Sequence, residues 1–166
     1  MIWTFKIVDF LQDPLKDFHK VPVKDGMTVV DYGCGPGRYT IALAKAVGPH
    51  GKVYAVDIQP IAIGIVEQKA AEASVLGIVE GVVVEGFNTG IQDSSVDLIY
   101  FRDAMHGIEN TQALFKEFRR LLKNDGRIFL DPGHMRMSKA RDIIRGTGEF
   151  RIESEDGKDL IVAPIQ

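Results

Sequence analysis

Short β-branched blocks alternate along the chain with longer stretches in which apolar residues recur at helical spacing. The blocks are Thr28–Tyr32, Lys52–Asp57, Val82–Val84, Val96–Phe101 and Arg127–Asp131. A run such as VVV at 82–84 is too apolar to be half exposed, and predicts strands in a sheet covered on both faces. Between the blocks, Ile41, Leu43, Ala44 and Val47 form the apolar side of a helix from about Arg38, stopped by Gly48-Pro49. Roughly 61–76 is a second helix, rich in Ala, Glu, Gln and Lys, with Pro60 in its first turn and Gly77 at its end. Leu114, Phe118, Leu121 and Leu122 mark the core face of a third, capped by Asn110 or Thr111. Arg136–Arg145 reads as a short basic helix. Gly148–Ser154 and Asp159–Ala163 then form two strands joined at the turn Glu155–Lys158.

The first twenty residues stand apart from this alternation. Trp3, Phe5, Ile7, Val8, Phe10 and Leu11 are too apolar for a solvated tail. They predict an arm or short helix packed on the domain's edge, or a lid or dimer contact over the mouth of a site. Lys6 and Asp9 interrupt the run, and it lacks the basic leader and cleavage site of a signal peptide.

Composition narrows the picture. The 166 residues are 45% hydrophobic and 26% charged, which suits a single domain spanning 1–166 with a real core. Net charge is −3, and the positive residues are scattered, so no nucleic-acid footprint is expected. No apolar stretch reaches the length of a membrane span. One cysteine excludes an internal disulfide and fits a reducing, cytoplasmic compartment. No Cys/His cluster has metal-site spacing.

The chemistry concentrates at Gly33-Cys34-Gly35-Pro36-Gly37, between the first strand and the first helix. Glycines permit a tight turn and keep side chains away from a ligand. The following helix N-terminus offers unpaired N–H groups and partial positive charge. The spacing is G-x-G-x-G, and Arg38 stands where a dinucleotide fingerprint has its last glycine. Asp31 lies two residues before the first glycine, where a pyrophosphate would be repelled and an ammonium group attracted. Both features disfavour a nicotinamide oxidoreductase. Asp57, at the end of the second strand and twenty residues after Gly37, offers two acceptor oxygens to a ribose diol.

Val29–Gly37 (VVDYGCGPG) resembles the first motif of the class I S-adenosylmethionine-dependent methyltransferases, in their small-molecule and quinone-biosynthesis-like branch. The resemblance covers about residue 20 to the end. It implies a Rossmann-like, doubly wound α/β fold: a mostly parallel seven-stranded sheet with an antiparallel C-terminal strand and helices on both faces. It implies S-adenosylmethionine as cofactor, S-adenosylhomocysteine as product, and no metal. Gly33, Cys34, Gly35 and Gly37 would lie beside the methionine part, with Asp31 holding its amino group. Asp57 would take the ribose and Ile58 would lie against adenine. Glu85-Gly86-Phe87 would meet the adenine edge, with Asn88 a second candidate; the family usually has Asp where Glu85 stands. The loop from Arg102 would run under the transferable methyl, the backbone carbonyl at Phe101 or Arg102 facing the cofactor. Asp97 would be structural.

The expected reaction is in-line methyl transfer to a small-molecule acceptor, the arm and the segments after strand five shaping acceptor choice, with a homodimer as one way to complete the pocket. The alternative is a non-catalytic subunit that binds the same cofactor or scaffolds a partner. No motif fixes a general base. His106, Asp103 and His134 are the candidates, since they fall on the loops after strands four and five and imidazole titrates near neutrality. Cys34 is read as a steric fit within the turn, not a nucleophile.

Overall fold

The computed structural model describes residues 18–165. The expected arm at 1–20 falls outside them, apart from a single 3-10 turn at Phe18–Lys20. The strands are β1 (Thr28–Tyr32), β2 (Lys52–Asp57), β3 (Val79–Val83), β4 (Val96–Arg102), β5 (Leu122–Asp131), β6 (Phe150–Asp156) and β7 (Asp159–Pro164). The helices are α1 (Thr40–Val47), α2 (Pro60–Glu72), α3 (Thr111–Leu121) and α4 (Met137–Gly146). One seven-stranded sheet runs in the order β3-β2-β1-β4-β5-β7-β6. The pairs from β3 to β5 are parallel, and β7 is antiparallel to both β5 and β6. This is the doubly wound α/β sheet expected from the alternation of elements, with its antiparallel C-terminal closure.

Strand alternation divides the core into two layers. Val29, Val53, Ala55, Leu98, Tyr100 and Phe129 point to one face and pack against Leu43, Ala44 and Val47 of α1 and Ile63, Val66 and Ala70 of α2. Val30, Val56, Ile99, Phe101, Ile128, Leu130 and Val162 point to the other, against α3 and α4. Tyr32, Phe101 and Phe118 meet edge-on there, with ring centroids 5.1–6.0 Å apart. Asp97 is structural, as expected: one oxygen accepts from the Thr28 N–H (2.8 Å) and the other binds the Lys123 ammonium (2.7 Å), tying β1 and β5 to β4.

Four local expectations are corrected. The third strand is Val79–Val83, not 82–84, and Val83 is 47% exposed. The reason is its place: β3 is the sheet's edge, so its apolar run is not covered on both faces. Helix α2 ends at Glu72, with Ser74 in a left-handed conformation (φ 58°), and does not reach 76. Leu122 opens β5 and does not belong to the α3 face. The fifth strand begins at Leu122, ahead of the expected Arg127–Asp131, and its start is irregular, the register with β4 shifting between Val96 and Leu98. At the far edge, β6 carries Arg151, Glu153, Ser154, Glu155 and Asp156, all exposed. Arg127 pairs with Glu153 (2.6 Å), and Arg141 with Glu155 (2.5 Å).

Candidate functional site

The order of winding reverses between β1 and β4. In open α/β sheets the crevice at that reversal, beyond the carboxyl ends of the strands, is where ligands bind. Here it is lined by the glycine turn after β1, Asp57 at the end of β2 and Ile58 just beyond it, the 84–87 segment after β3, and the loops after β4 and β5.

The glycine turn is fixed from beneath. Gly33 and Cys34 both donate their N–H to the Val56 carbonyl at the end of β2 (2.8 and 3.1 Å). A Cβ at Gly33 would stand 2.8 Å from Cβ of Ala104, and one at Gly37 would stand 2.9 Å from Cγ2 of Val66. These two glycines therefore serve close packing against the β4 loop and α2. Gly35 differs: nothing lies within 4 Å of its Cβ position, so it faces open space. Its N–H donates to Oδ2 of Asp57 (2.8 Å), while Oδ1 of Asp57 accepts from the Gln59 N–H (2.9 Å). The Asp57 carboxylate is thus held rigid, and each oxygen keeps a lone pair for a further donor.

Asp31 lies below the turn and is 4% exposed. Oδ2 accepts from the Thr40 hydroxyl at 2.6 Å. Burial raises its pKa to about 7; the Thr40 hydrogen bond pulls it down, and the negative charge of Asp57 pushes it up again. A carboxyl so placed gains most from an arriving cation. Thr40 opens α1, and the preceding Tyr39 gives no side-chain cap. Cys34 is buried among α1 and β1 residues, and burial pushes its thiol pKa up, which leaves it unreactive.

Ile58 is 66% exposed immediately after Asp57. Val83, register partner of Asp57, adds a second exposed apolar side chain at this end of the sheet. Glu85 and Gly86 are exposed beside them, and a Cβ at Gly86 would meet nothing within 4 Å. Phe87 instead packs inward against the α3-side core. Asn88 is engaged in its own turn, accepting from the Gly90 N–H (3.0 Å).

Arg102 ends β4. Its guanidinium lies 5.3 Å from the Tyr39 ring centroid, and Nε is 3.2 Å from Asp131 Oδ2. Asp131 also accepts from the Gly133 N–H (2.8 Å). Beyond these, Asp103, His106 and His134 come together: His106 Nδ1 is 3.7 Å from Asp103 Oδ1, and the two imidazole centroids are 6.0 Å apart. Sequence reading missed Thr40, Tyr39 and Asp131 as parts of this end of the sheet. A hydroxyl in the first turn after a glycine loop was the available signal for Thr40. The Asp131 signal was the same as for Asp57, an acid closing a buried strand. Among the described residues, no group of three or more His, Cys, Asp or Glu is arranged to hold a metal.

An open doubly wound sheet thus carries at its switch point a glycine turn over a buried acid, with a second acid at the end of the next strand. Residues 23–154 match the model of a methyltransferase domain, and the chain belongs to that family. A demethylmenaquinone methyltransferase of Staphylococcus haemolyticus is 31% identical over 114 residues, which cover 69% of this chain and 45% of that protein. The chain thus spans less than half the length of that curated relative. A SAM-dependent methyltransferase from Aquifex aeolicus superposes with a TM-score of 0.76 at 27% identity, covering 90% of this chain and 87% of that one. A candidate rRNA methylase from Clostridium thermocellum superposes at 0.66 with 25% identity, covering 86% and 91%.

Proposed function

We propose that the chain transfers a methyl group from S-adenosylmethionine to a small-molecule acceptor by in-line displacement. The observation that carries this reading is the pair of acids at the glycine turn: Asp31, buried with a raised pKa, and Asp57, held by the Gly35 N–H with lone pairs to spare. An α-ammonium group answers the first and a ribose diol the second. Gly33, Cys34, Gly35 and Gly37 hold the turn beside the methionine part. Ile58, with Val83, offers an apolar flank to adenine, and Glu85 and Gly86 offer an acceptor and a donor to its edge. Phe87 contributes by packing beneath that segment, and Arg102 by anchoring the loop that passes under the methyl group.

When bound, S-adenosylmethionine supplies an electrophilic methyl carbon on a positively charged sulphur. The residues here do little covalent work. They hold the two reactants in line, and such positioning is worth roughly 7–11 kcal/mol. An acidic balance with scattered lysines and arginines favours a small acceptor over RNA, whose phosphates call for a basic surface. The lone cysteine supports a reducing, cytoplasmic setting. Among the described residues, no helix is long and apolar enough to cross a membrane. A homodimer is one way to complete the acceptor pocket.

Calorimetric titration of the cofactor-stripped protein with S-adenosylmethionine and S-adenosylhomocysteine tests the pocket. Micromolar binding of both is expected, followed by methyl transfer in a small-metabolite panel. Binding of neither would overturn the reading, and binding without transfer to any acceptor would favour the non-catalytic alternative.

A further inference from the structure

No strand lies on the outer side of β3, so the segment that leaves it must be held by something other than the sheet. Its start is tied to the neighbouring strand: the Val84 N–H donates to the carbonyl of Asp57 at the end of β2 (3.0 Å). Glu85 and Gly86 follow as an exposed arch beside Asp57, with Gly86 left-handed (φ 73°). Phe87 then turns into the α3-side core, and Asn88 and Gly90 close a turn. The far foot of the arch is Thr89, which is buried. Its N–H and its hydroxyl both donate to Oε1 of Glu117 at 2.9 Å, and its hydroxyl oxygen accepts from the Ile91 N–H (3.3 Å). Arg120 completes the lock. Its Nε and Nη2 donate to the Glu117 carboxylate (2.8 and 2.7 Å), and its Nη1 donates to the Ile91 carbonyl (2.7 Å). Glu117 is out of keeping with the helix face that carries it: Leu114, Phe115, Phe118 and Leu121 share the buried side of α3, and Glu117 is buried with them. Burying a charge is costly, and packed apolar residues often replace a paired buried charge without loss of stability. The helix therefore needs no acid at 117 in order to pack. What the acid does, and an apolar residue would not, is fix the backbone at Thr89 in one place.

We propose that Glu117 is the positioning residue for nucleobase selection: by holding Thr89, with Arg120 behind it, it sets the arch so that Glu85 and Gly86 meet the amino edge of the purine. This rests on the S-adenosylmethionine reading of the pocket. The arch begins one residue after the Val84–Asp57 bond, so the groups that read the base are anchored to the acid assigned to the ribose. An adenine amino group donates to the Glu85 carboxylate, and its ring N1 accepts from the Gly86 N–H. Hypoxanthine reverses both, setting an oxygen against the carboxylate and an N–H against a donor. Choice between the two bases thus depends on where the arch stands. Tied at Val84 alone, with glycines at 86 and 90 free to rotate, the arch would lose that choice. Asp31 and Asp57 would keep the amino group and the ribose, since neither touches Thr89 or Glu117.

The test is calorimetric titration with S-adenosylhomocysteine and with S-inosylhomocysteine, its hypoxanthine counterpart, and the readout is the ratio of the two dissociation constants. The wild type is expected to favour the adenosyl compound about tenfold or more. Glu117→Ala should bring the ratio to about threefold or less, through weaker binding of the adenosyl compound. Thr89→Val keeps the N–H bond and loses the hydroxyl one, and should lower the ratio by about threefold or more. Thr89→Ser keeps the hydroxyl and should restore it. Asp97→Asn weakens the tie of β1 and β5 to β4, away from the arch, and should lower the melting temperature with the ratio intact. If Glu117→Ala does not fold, the Thr89 pair decides. A wild-type ratio near one, a ratio that survives in the folded variants, or an equal loss in Asp97→Asn overturns the proposal and leaves the cofactor reading standing. Failure of the wild type to bind S-adenosylhomocysteine overturns the cofactor reading, and this inference with it.

Discussion

Asp31→Asn separates what the buried acid does for the fold from what it does for a ligand. Its pKa of about 7 in the free protein stands above the ordinary aspartate value, so between roughly pH 4 and 7 the folded chain binds a proton that the unfolded chain has released. The sign follows: stability from this group is fully present at low pH and is lost as pH rises through 7. Between pH 5.5 and 7.5 the loss is RT ln[(1 + 10^1.5)/(1 + 10^−0.5)], or about 2 kcal/mol. An ammonium ligand that pairs with the ionised form reverses the sign, because the same proton competes with it. S-adenosylmethionine affinity is therefore expected to rise about 25-fold over the same interval, an identical free energy. Asparagine keeps an oxygen for the Thr40 hydroxyl and cannot ionise, so both slopes should vanish. At pH 7.5 the variant should bind about 10–150-fold more weakly, the cost of about 1.5–3 kcal/mol for a lost charged hydrogen bond, without being less stable. Isothermal titration and thermal melts of both proteins at pH 5.5, 6.5 and 7.5 give the readout. A wild-type affinity that does not change with pH, or a variant that keeps the wild-type slope, would refute the assignment of Asp31 to the amino group.

Three further outcomes are expected. Asp57→Ala should weaken S-adenosylmethionine binding by about 1.5–3 kcal/mol in calorimetry and loosen the Gly35 turn, which loses its acceptor. Gly37→Ala places a methyl 2.9 Å from Val66 in a left-handed backbone and should cost about 1–3 kcal/mol in denaturant melts, whereas Gly35→Ala, also left-handed but facing open space, should cost only the backbone strain of about 1 kcal/mol and lower cofactor affinity besides. Glu117→Ala should destabilise by about 3 kcal/mol, because Oε1 accepts from both the N–H and the hydroxyl of buried Thr89 (2.9 Å each) and pairs with Arg120. Burial alone would raise the Glu117 pKa, but the Arg120 and Thr89 hydrogen bonds outweigh it and hold it below the ordinary value. Its contribution is therefore present above that value and should disappear in acid melts as pH falls through the folded one.

The positions of β1, β2, β4 and the closing hairpin were legible because their burial is local: a β-branched run bounded by turn residues declares itself without reference to neighbours. The edge position of β3 was not. Whether Val83 is covered depends on which strand lies beside it, and strand order is a property of the whole sheet. The end of α2 was obscured for a related reason, since Ala73-Ser74-Val75 is as compatible with helix as with the left-handed stop it adopts. At the site, Asp31, the glycines and Asp57 stood out through spacing. Thr40 did not, since a threonine nine residues from an acid acquires meaning only when a turn folds one over the other. Nor did the division of labour among glycines, where Gly33 and Gly37 serve packing and Gly35 faces open space, because it depends on Ala104 and Val66 from distant parts of the chain.

The charged outer strand β6 bears on how copies of this protein can meet. A sheet edge is a row of unsatisfied backbone groups that invites another strand. Arg151, Glu153, Glu155 and Asp156 line this one, and Arg127, Arg141 and Lys20 reach across to pair with it. A second chain adding here would have to set carboxylates against carboxylates and displace those pairs. Ribbon-like growth through β6 is thus guarded against, which leaves the β3 edge, the helix faces and the carboxyl-end loops as the surfaces through which copies can meet.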